Sequence, residues 1–354
     1  MSRSAPAQTS PRSRRTSGRS VLVDVAKRAG VSTATVSRVY NDPGKVSADV
    51  QARVREAALA LNWIPNAAGR ALASTRTHIA GAIIPTLDDQ VFASEVTGMQ
   101  AVFAEQGYTV FLGCSNYNLQ QAYIQVSAML TRGVEAVLLV GESQPPGLFE
   151  LLEQNRVPYV VTYAYRKDSP HCCVGFDNRA AFRRLTTHLL DSGHRDFAIV
   201  MQSPDGNDRV QARLLGIHET LAEQGLAVRP AHVRIGPATI DFGRASLREI
   251  MEQTGPRPTA IICGNDHLAT GVLLEAQSLG IEVPGELSVT GFDDIALSHQ
   301  LKPSLTTMRV DTAEIGRLAA HTMLRMLAGE TDIGGTEIEP VLFVRESSGA
   351  PQAR

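Results

Sequence analysis

Apolar residues fall at helical spacing near the start of the chain and in short unbroken runs further on, so two kinds of structure are joined end to end. Leu22, Val25, Ala26 and Ala29 share one helix face, and Gly30 supplies the left-handed residue that stops a helix and opens a turn. Ser32 is an N-cap for a second helix, Thr33 to Tyr40, in which Val36 and Val39 turn inward and Thr33, Ala34, Ser37 and Arg38 face out. A third helix follows from Ala48 to Leu61. Two short helices joined by a Gly-Val-Ser turn make a helix-turn-helix, whose second helix fits the width of the DNA major groove. Pro65 breaks the pattern. Asn66 to Ala73 has good helix formers over only about two turns, too few to hold a helix in water without a partner.

From His78 the period changes. The runs HIAGAII, YTVFLG, EAVLLV, PYVVT, DFAIVM, TAIICG and ELSVTGF read as buried parallel strands, with amphipathic helices between them. Several helices stop on a glycine just before the next strand, as in EQGYTVFL, TRGVEAVLL, DSGHRDFAIV and SLGIEVP. The pattern predicts a doubly wound α/β body. In such sheets ligands sit beyond the carboxyl ends of the strands, so the strand-to-helix loops are where to look for a site.

Charge sharpens the division. The first 75 residues hold 12 Lys+Arg against 4 Asp+Glu and the remainder 22 against 32, a basic head on an acidic body whose opposite signs hide in a net charge of −2. A polyanion is the expected partner of the head alone. Residues 1–19 are Ser, Pro, Thr and Arg with almost nothing apolar, which predicts a disordered basic arm and provides no secretory signal. No run of eighteen uncharged apolar residues occurs, so no membrane span is expected. The four cysteines, Cys114, Cys172, Cys173 and Cys263, have no zinc-ligand spacing and read as reduced thiols; no metal and no cofactor is expected.

The residues DVAKRAGVS at Asp24 to Ser32, TVSRVYN at Thr35 to Asn41 and LNWIPN at Leu61 to Asn66 stand in an order that resembles the head of the lactose-repressor (LacI/GalR) family of bacterial transcription regulators. The resemblance implies an all-α helix-turn-helix head and a hinge helix, then a two-lobe effector domain of the type I periplasmic-binding-protein kind, each lobe Rossmann-like. The expected divisions are 1–19 for the arm, 20–64 for the DNA-binding domain, 65–75 for the hinge helix, 76–346 for the effector-binding and dimerisation domain, and 347–354 for a tail. Lobe 1 is expected over about 76–175 plus 306–328 and lobe 2 over about 176–305 plus 329–346, the chain crossing near Phe176, Thr306 and Gly329.

Residue by residue, the resemblance carries roles. Thr33, Ala34, Ser37 and Arg38 would meet base edges, Arg38 a guanine, and Lys45 a phosphate. Asn66, Gly69 and Leu72 belong to the hinge helix, with Leu72 where the family has its intercalating leucine, although an apolar linker cap would also suit it. In the body, Phe92 lies in a loop that departs from the family's Asn-Pro-Phe-Phe run, and Ser115 offers a small polar group after YTVFLG. Tyr163 would stack on a ligand. Arg213 matches the effector-binding arginine of the R-x-x-G pattern, with Arg209 one turn before it, on a face that could equally be solvated. Asp266 matches the N-D-x-x-A aspartate, a position where plain helix capping also suits an Asp. Asp293-Asp294 resembles the family's structural G-F-D-D turn.

The implied function is a sequence-specific DNA-binding repressor in the bacterial cytoplasm, associated with the nucleoid. Its affinity for a pseudo-palindromic operator would be switched by a small polar effector, a sugar or sugar acid. The chain ends without the leucine heptads of the family's tetramers, so a homodimer is expected. The alternatives on the same body are a solute-binding protein or a carbohydrate-active enzyme. No Walker loop, Gly-x-Gly-x-x-Gly, His-Glu-x-x-His or Gly-x-Ser-x-Gly occurs to support an enzyme.

Overall fold

Helices α1 (Leu22–Ala29), α2 (Thr33–Asn41) and α3 (Ala48–Ala60) build the head. Asp24 turns back to accept the Val21 N–H (3.0 Å), which fixes the start of α1. Gly30 ends the helix at φ 66°, where a side chain would be strained. The Ser32 hydroxyl then accepts the Thr35 N–H (3.1 Å) and caps α2. Val25, Ala29, Val36, Val39, Val54 and Ala57 close a small core, with Trp63 set edge-on against Tyr40 at 5.6 Å.

The computed structural model describes residues 21–64 and 76–352, in two compact units, Met1–Thr77 and His78–Arg354. The second unit holds two six-stranded sheets. The first has the order β11-β5-β4-β3-β1-β2, from β1 (Ile79–Ile84), β2 (Thr109–Cys114), β3 (Ala136–Val140), β4 (Tyr159–Thr162), β5 (Cys173–Gly175) and β11 (Thr336–Glu337). The second has the order β12-β10-β9-β8-β6-β7, from β6 (Phe197–Gln202), β7 (Val233–Gly236), β8 (Ala260–Cys263), β9 (Ser288–Asp293), β10 (Thr306–Arg309) and β12 (Val341–Phe343). All pairings are parallel except β10 with β12.

The helices that matter below are α4 (Gln90–Glu105), α5 (Leu119–Leu130), α6 (Leu148–Gln154), α7 (Asn178–Asp191), α8 (Asp208–Ala222), α9 (Ile240–Met251), α10 (Asp266–Leu279) and α11 (Thr312–Leu327). Each of the seven apolar runs forms a strand, and Gly107, Gly133, Gly193 and Gly280 all take positive φ where a helix gives way to the next strand.

The crossings between lobes differ in two places from the sequence expectation. The chain leaves lobe 1 after β5, at Phe176, but β10 stays in the second sheet, in register with β9 through Thr306 and Thr290, so the return falls at Val310 and Asp311. Helix α11 and strand β11 then belong to lobe 1, and the third crossing comes after Glu337 and not at Gly329. A three- or four-residue strand has no period that names its sheet; pairing decides it. The expected tail is also structured. Ser347 bridges β9 and β10, donating its Oγ to the Val289 carbonyl (2.6 Å) and accepting the Thr306 N–H (2.8 Å). Gly349 is bonded to Ser288 and to the buried His194.

Candidate functional site

In the head, the cap at Ser32 fixes which face α2 presents. Thr33, Ala34 and Arg38 are exposed on it, while Val36 and Val39 are buried beneath. Ser37 is half-buried, its Oγ accepting from Asn41 Nδ2 (3.0 Å). Lys45 pairs with Asp42 at 2.6 Å, yet its side chain is 74% exposed. Such a surface pair contributes little and leaves the ammonium able to turn to a phosphate. Asn66, Gly69 and Leu72 lie outside the described residues.

In the body, a cavity of about 40 Å³ lies between the lobes. Lobe 1 contributes Asp89, Phe92, Tyr117 and Tyr163, and lobe 2 contributes Gln202, Asn207, Arg209, Arg213 and Asp293. Arg213 is buried on α8. Its Nε–H donates to Asn178 Oδ1 (2.8 Å), its Nη1 to the Gly264 carbonyl (2.9 Å), and its guanidinium lies 4.2 Å from the Phe292 ring centroid. Burial pulls it down to about 10, so it stays charged at neutral pH. Asp293, at the carboxyl end of β9, has φ 107°. Burial pushes its carboxyl well up, Asp89 adds to that, and Arg213 opposes it. Tyr163 uses its hydroxyl on the Val91 carbonyl (2.9 Å) and sets its ring 5.2 Å from Phe92.

One expected contact is turned away from the cavity. Asp266 is fully buried at the start of α10, and its carboxylate is consumed inside lobe 2. Oδ1 accepts from Thr307 Oγ1 (2.6 Å), and Oδ2 from the Ile295 N–H (2.9 Å) and Ser298 Oγ (2.5 Å). Burial pushes it up to about 6 against those three donors. The helix cap is the neighbouring Asn265, which accepts the Leu268 N–H (3.1 Å). It is Asp293, read from sequence as a structural turn, that faces the cavity; its place after a strand was the available signal. Ser115 lies beside a separate cavity of about 30 Å³, with Tyr117 and Arg209 walling both.

The lobes are tied across the cleft at the mouth of α8. The N–H groups of Glu142 and Ser143, after β3, donate to Asp208 Oδ2 (3.0 Å) and Oδ1 (3.2 Å), and Arg209 Nη1 donates to the Val140 carbonyl (3.2 Å). Arg209 is therefore buried and employed, and not part of a solvated face. Away from the cleft, His171 stacks on Phe149 at 3.9 Å beside the free thiols of Cys172 and Cys173.

A family model described as bacterial regulatory proteins, lacI family, matches residues 21–66, and one described as periplasmic binding protein-like domain matches residues 186–348. The chain is 29% identical over 330 residues to the HTH-type transcriptional repressor CytR of Escherichia coli (strain K12), covering 93% of this chain and 96% of that one. It is 31% identical over 343 residues to the HTH-type transcriptional regulator GntR of Pseudomonas aeruginosa, covering 94% and 97%. Among solved structures, it superposes on the lac repressor dimer bound to operator and the anti-inducer ONPF with a TM-score of 0.81 at 25% identity, covering 94% of this chain and all of that one.

Proposed function

The chain belongs to the lacI family of bacterial regulatory proteins and is a ligand-regulated, DNA-binding transcriptional repressor, and from that premise we propose how it reads DNA and what it senses. As a homodimer it sets two α2 helices into successive major grooves of a pseudo-palindromic operator. Arg38 reads a guanine edge, Thr33, Ala34 and Ser37 set the remaining base preference, and Lys45 holds a phosphate. The repressor works where the chromosome is, in the cytoplasm.

The effector is a small polar molecule, a sugar or sugar acid. The observation that carries this is the convergence of Arg213 and Asp293, both from lobe 2, on one cavity that lobe 1 covers with Asp89, Phe92, Tyr117 and Tyr163. The Arg213 guanidinium and the Asp293 carboxyl offer donors and acceptors to adjacent hydroxyls, and Arg209 adds positive charge for an acid group. A cavity of about 40 Å³ is far below the several hundred Å³ of a small-molecule site, so a ligand at Arg213 and Asp293 calls for the lobes to be further apart there. The ligand moves operator affinity only through its different affinity for the parted and closed forms.

A gel shift on DNA from upstream of the gene and its neighbours, repeated with a panel of sugars and sugar acids, tests the reading. Retardation of one fragment, altered by one compound, is expected. Arg38→Ala should weaken that fragment's binding by about 10- to 100-fold and leave random DNA much less affected; an equal loss on both would remove Arg38 from base reading.

A further inference from the structure

Asn178 holds both lobes with one amide. It opens α7 directly after the first crossing and is 4% exposed. Its Nδ2 donates to the carbonyl of Tyr163 in lobe 1 (2.8 Å), and its Oδ1 accepts from Arg213 Nε in lobe 2 (2.8 Å). Both partners line the interlobe cavity. Tyr163 has φ 60°, a conformation uncommon for a residue with a side chain, so its carbonyl is aimed by its surroundings and not by strand geometry. Arg213 is aimed just as narrowly, between the Gly264 carbonyl and the Phe292 ring. Tyr163 belongs to lobe 1, whereas Asn178 and Arg213 both lie on helices of lobe 2, so a relative movement of the lobes loads the bond to Tyr163 while the bond to Arg213 travels with Asn178. One planar amide therefore reports on both the lobe-1 backbone and the aim of Arg213.

We propose that Asn178 is a positioning residue that couples the aim of Arg213 to closure of the lobes. Ligand oxygens that draw the guanidinium fix the amide plane through Nε, and the same plane sets the bond to the Tyr163 carbonyl across the crossing. The proposal rests on the interlobe cavity being the effector site. It differs from the Asp208 tie, which bonds backbone N–H groups at the cleft mouth and does not touch Arg213.

The test uses the full-length protein with two dyes attached through unnatural amino acids at Gln120 and Asp241, exposed positions on opposite lobes, read by single-molecule energy transfer. The wild type is expected in one dominant short-distance population. Asn178→Ala and Asn178→Asp should each lower the closed-to-open ratio about five- to tenfold, the scale of one buried hydrogen bond. Asn178→Asp has the size of asparagine and keeps the acceptor for Arg213 while losing the donor to Tyr163, so it separates coupling from damage to packing. Arg213→Ala should lower the ratio as well, and add nothing further in the Asn178→Ala background. A ratio within twofold of wild type in Asn178→Asp, or additive effects of Arg213→Ala and Asn178→Ala, would overturn the proposal. Because neither DNA nor ligand is present, this result stands apart from the gel shift: no response to any compound there with a shift here would count against the effector reading and leave Asn178 as a coupler of the lobes alone.

Discussion

Glu95, on α4, has both carboxylate oxygens shielded from solvent, and burial pushes it up to about 8 against the pull of the Thr162 hydroxyl and the Arg209 charge. Its ordinary value of 4.5 governs the unfolded chain. Between those two values the folded protein keeps a proton that the unfolded chain releases, so stability falls as pH rises from about 4.5 to about 8 and levels off above. Glu95→Gln carries no such proton. Thermal melts from pH 5 to 8.5 should show the variant gaining on wild type by several kcal/mol toward the alkaline end; a constant difference would mean that Glu95 is ionised in the fold. The residue scale is also where reading the sequence failed. Arg213 was legible because a pattern points to it, and the structure places it at the cavity. Asp266, turned into lobe 2, and Asp293, at the cavity, look alike in sequence because each is an acid next to a strand end. A positive φ at Asp293 and three internal donors around Asp266 leave no mark in residue type or spacing.

At the scale of elements, α4 and α11 approach each other closely through glycines. A Cβ added at Gly98 would meet the Ala313 carbonyl, and one added at Gly316 would meet the Glu95 carbonyl, so both glycines are required by contact with backbone, which cannot swing aside. Gly98→Ala should therefore destabilise the body by about 3 kcal/mol, the upper range for overpacking, seen as a lowered urea midpoint with unchanged slope. The long apolar runs announced β1, β3, β6 and β8 because each is buried on both faces. Cys173–Gly175 and Thr336–Glu337 are too short to carry a period, and their strand character comes from the neighbour they pair with. The first two helices of the head were legible, since Gly30 stops one and Ser32 caps the next.

At the scale of the molecule, the lobes meet through few but specific bonds, and a switch follows from how easily these break. Asp208 accepts two backbone N–H groups from the opposite lobe with one charged carboxylate, so Asp208→Ala removes both acceptors at once. Hydrogen exchange at Glu142 and Ser143 should then quicken about tenfold or more, with the β3 amides unchanged; unaltered exchange would show that the tie does not hold the lobes. The third crossing has a different consequence, one of timing. β10, β11, β12 and the segment stitched by Ser347 complete both sheets with the last fifty residues or so of the chain. A ribosome adding about 5 to 20 residues per second needs roughly a quarter of a minute to a minute to pass from the end of the head to that segment. Throughout that interval the nascent chain carries a finished basic head with its own core and no finished lobe, so each newborn molecule is able to touch DNA before it is able to sense a ligand.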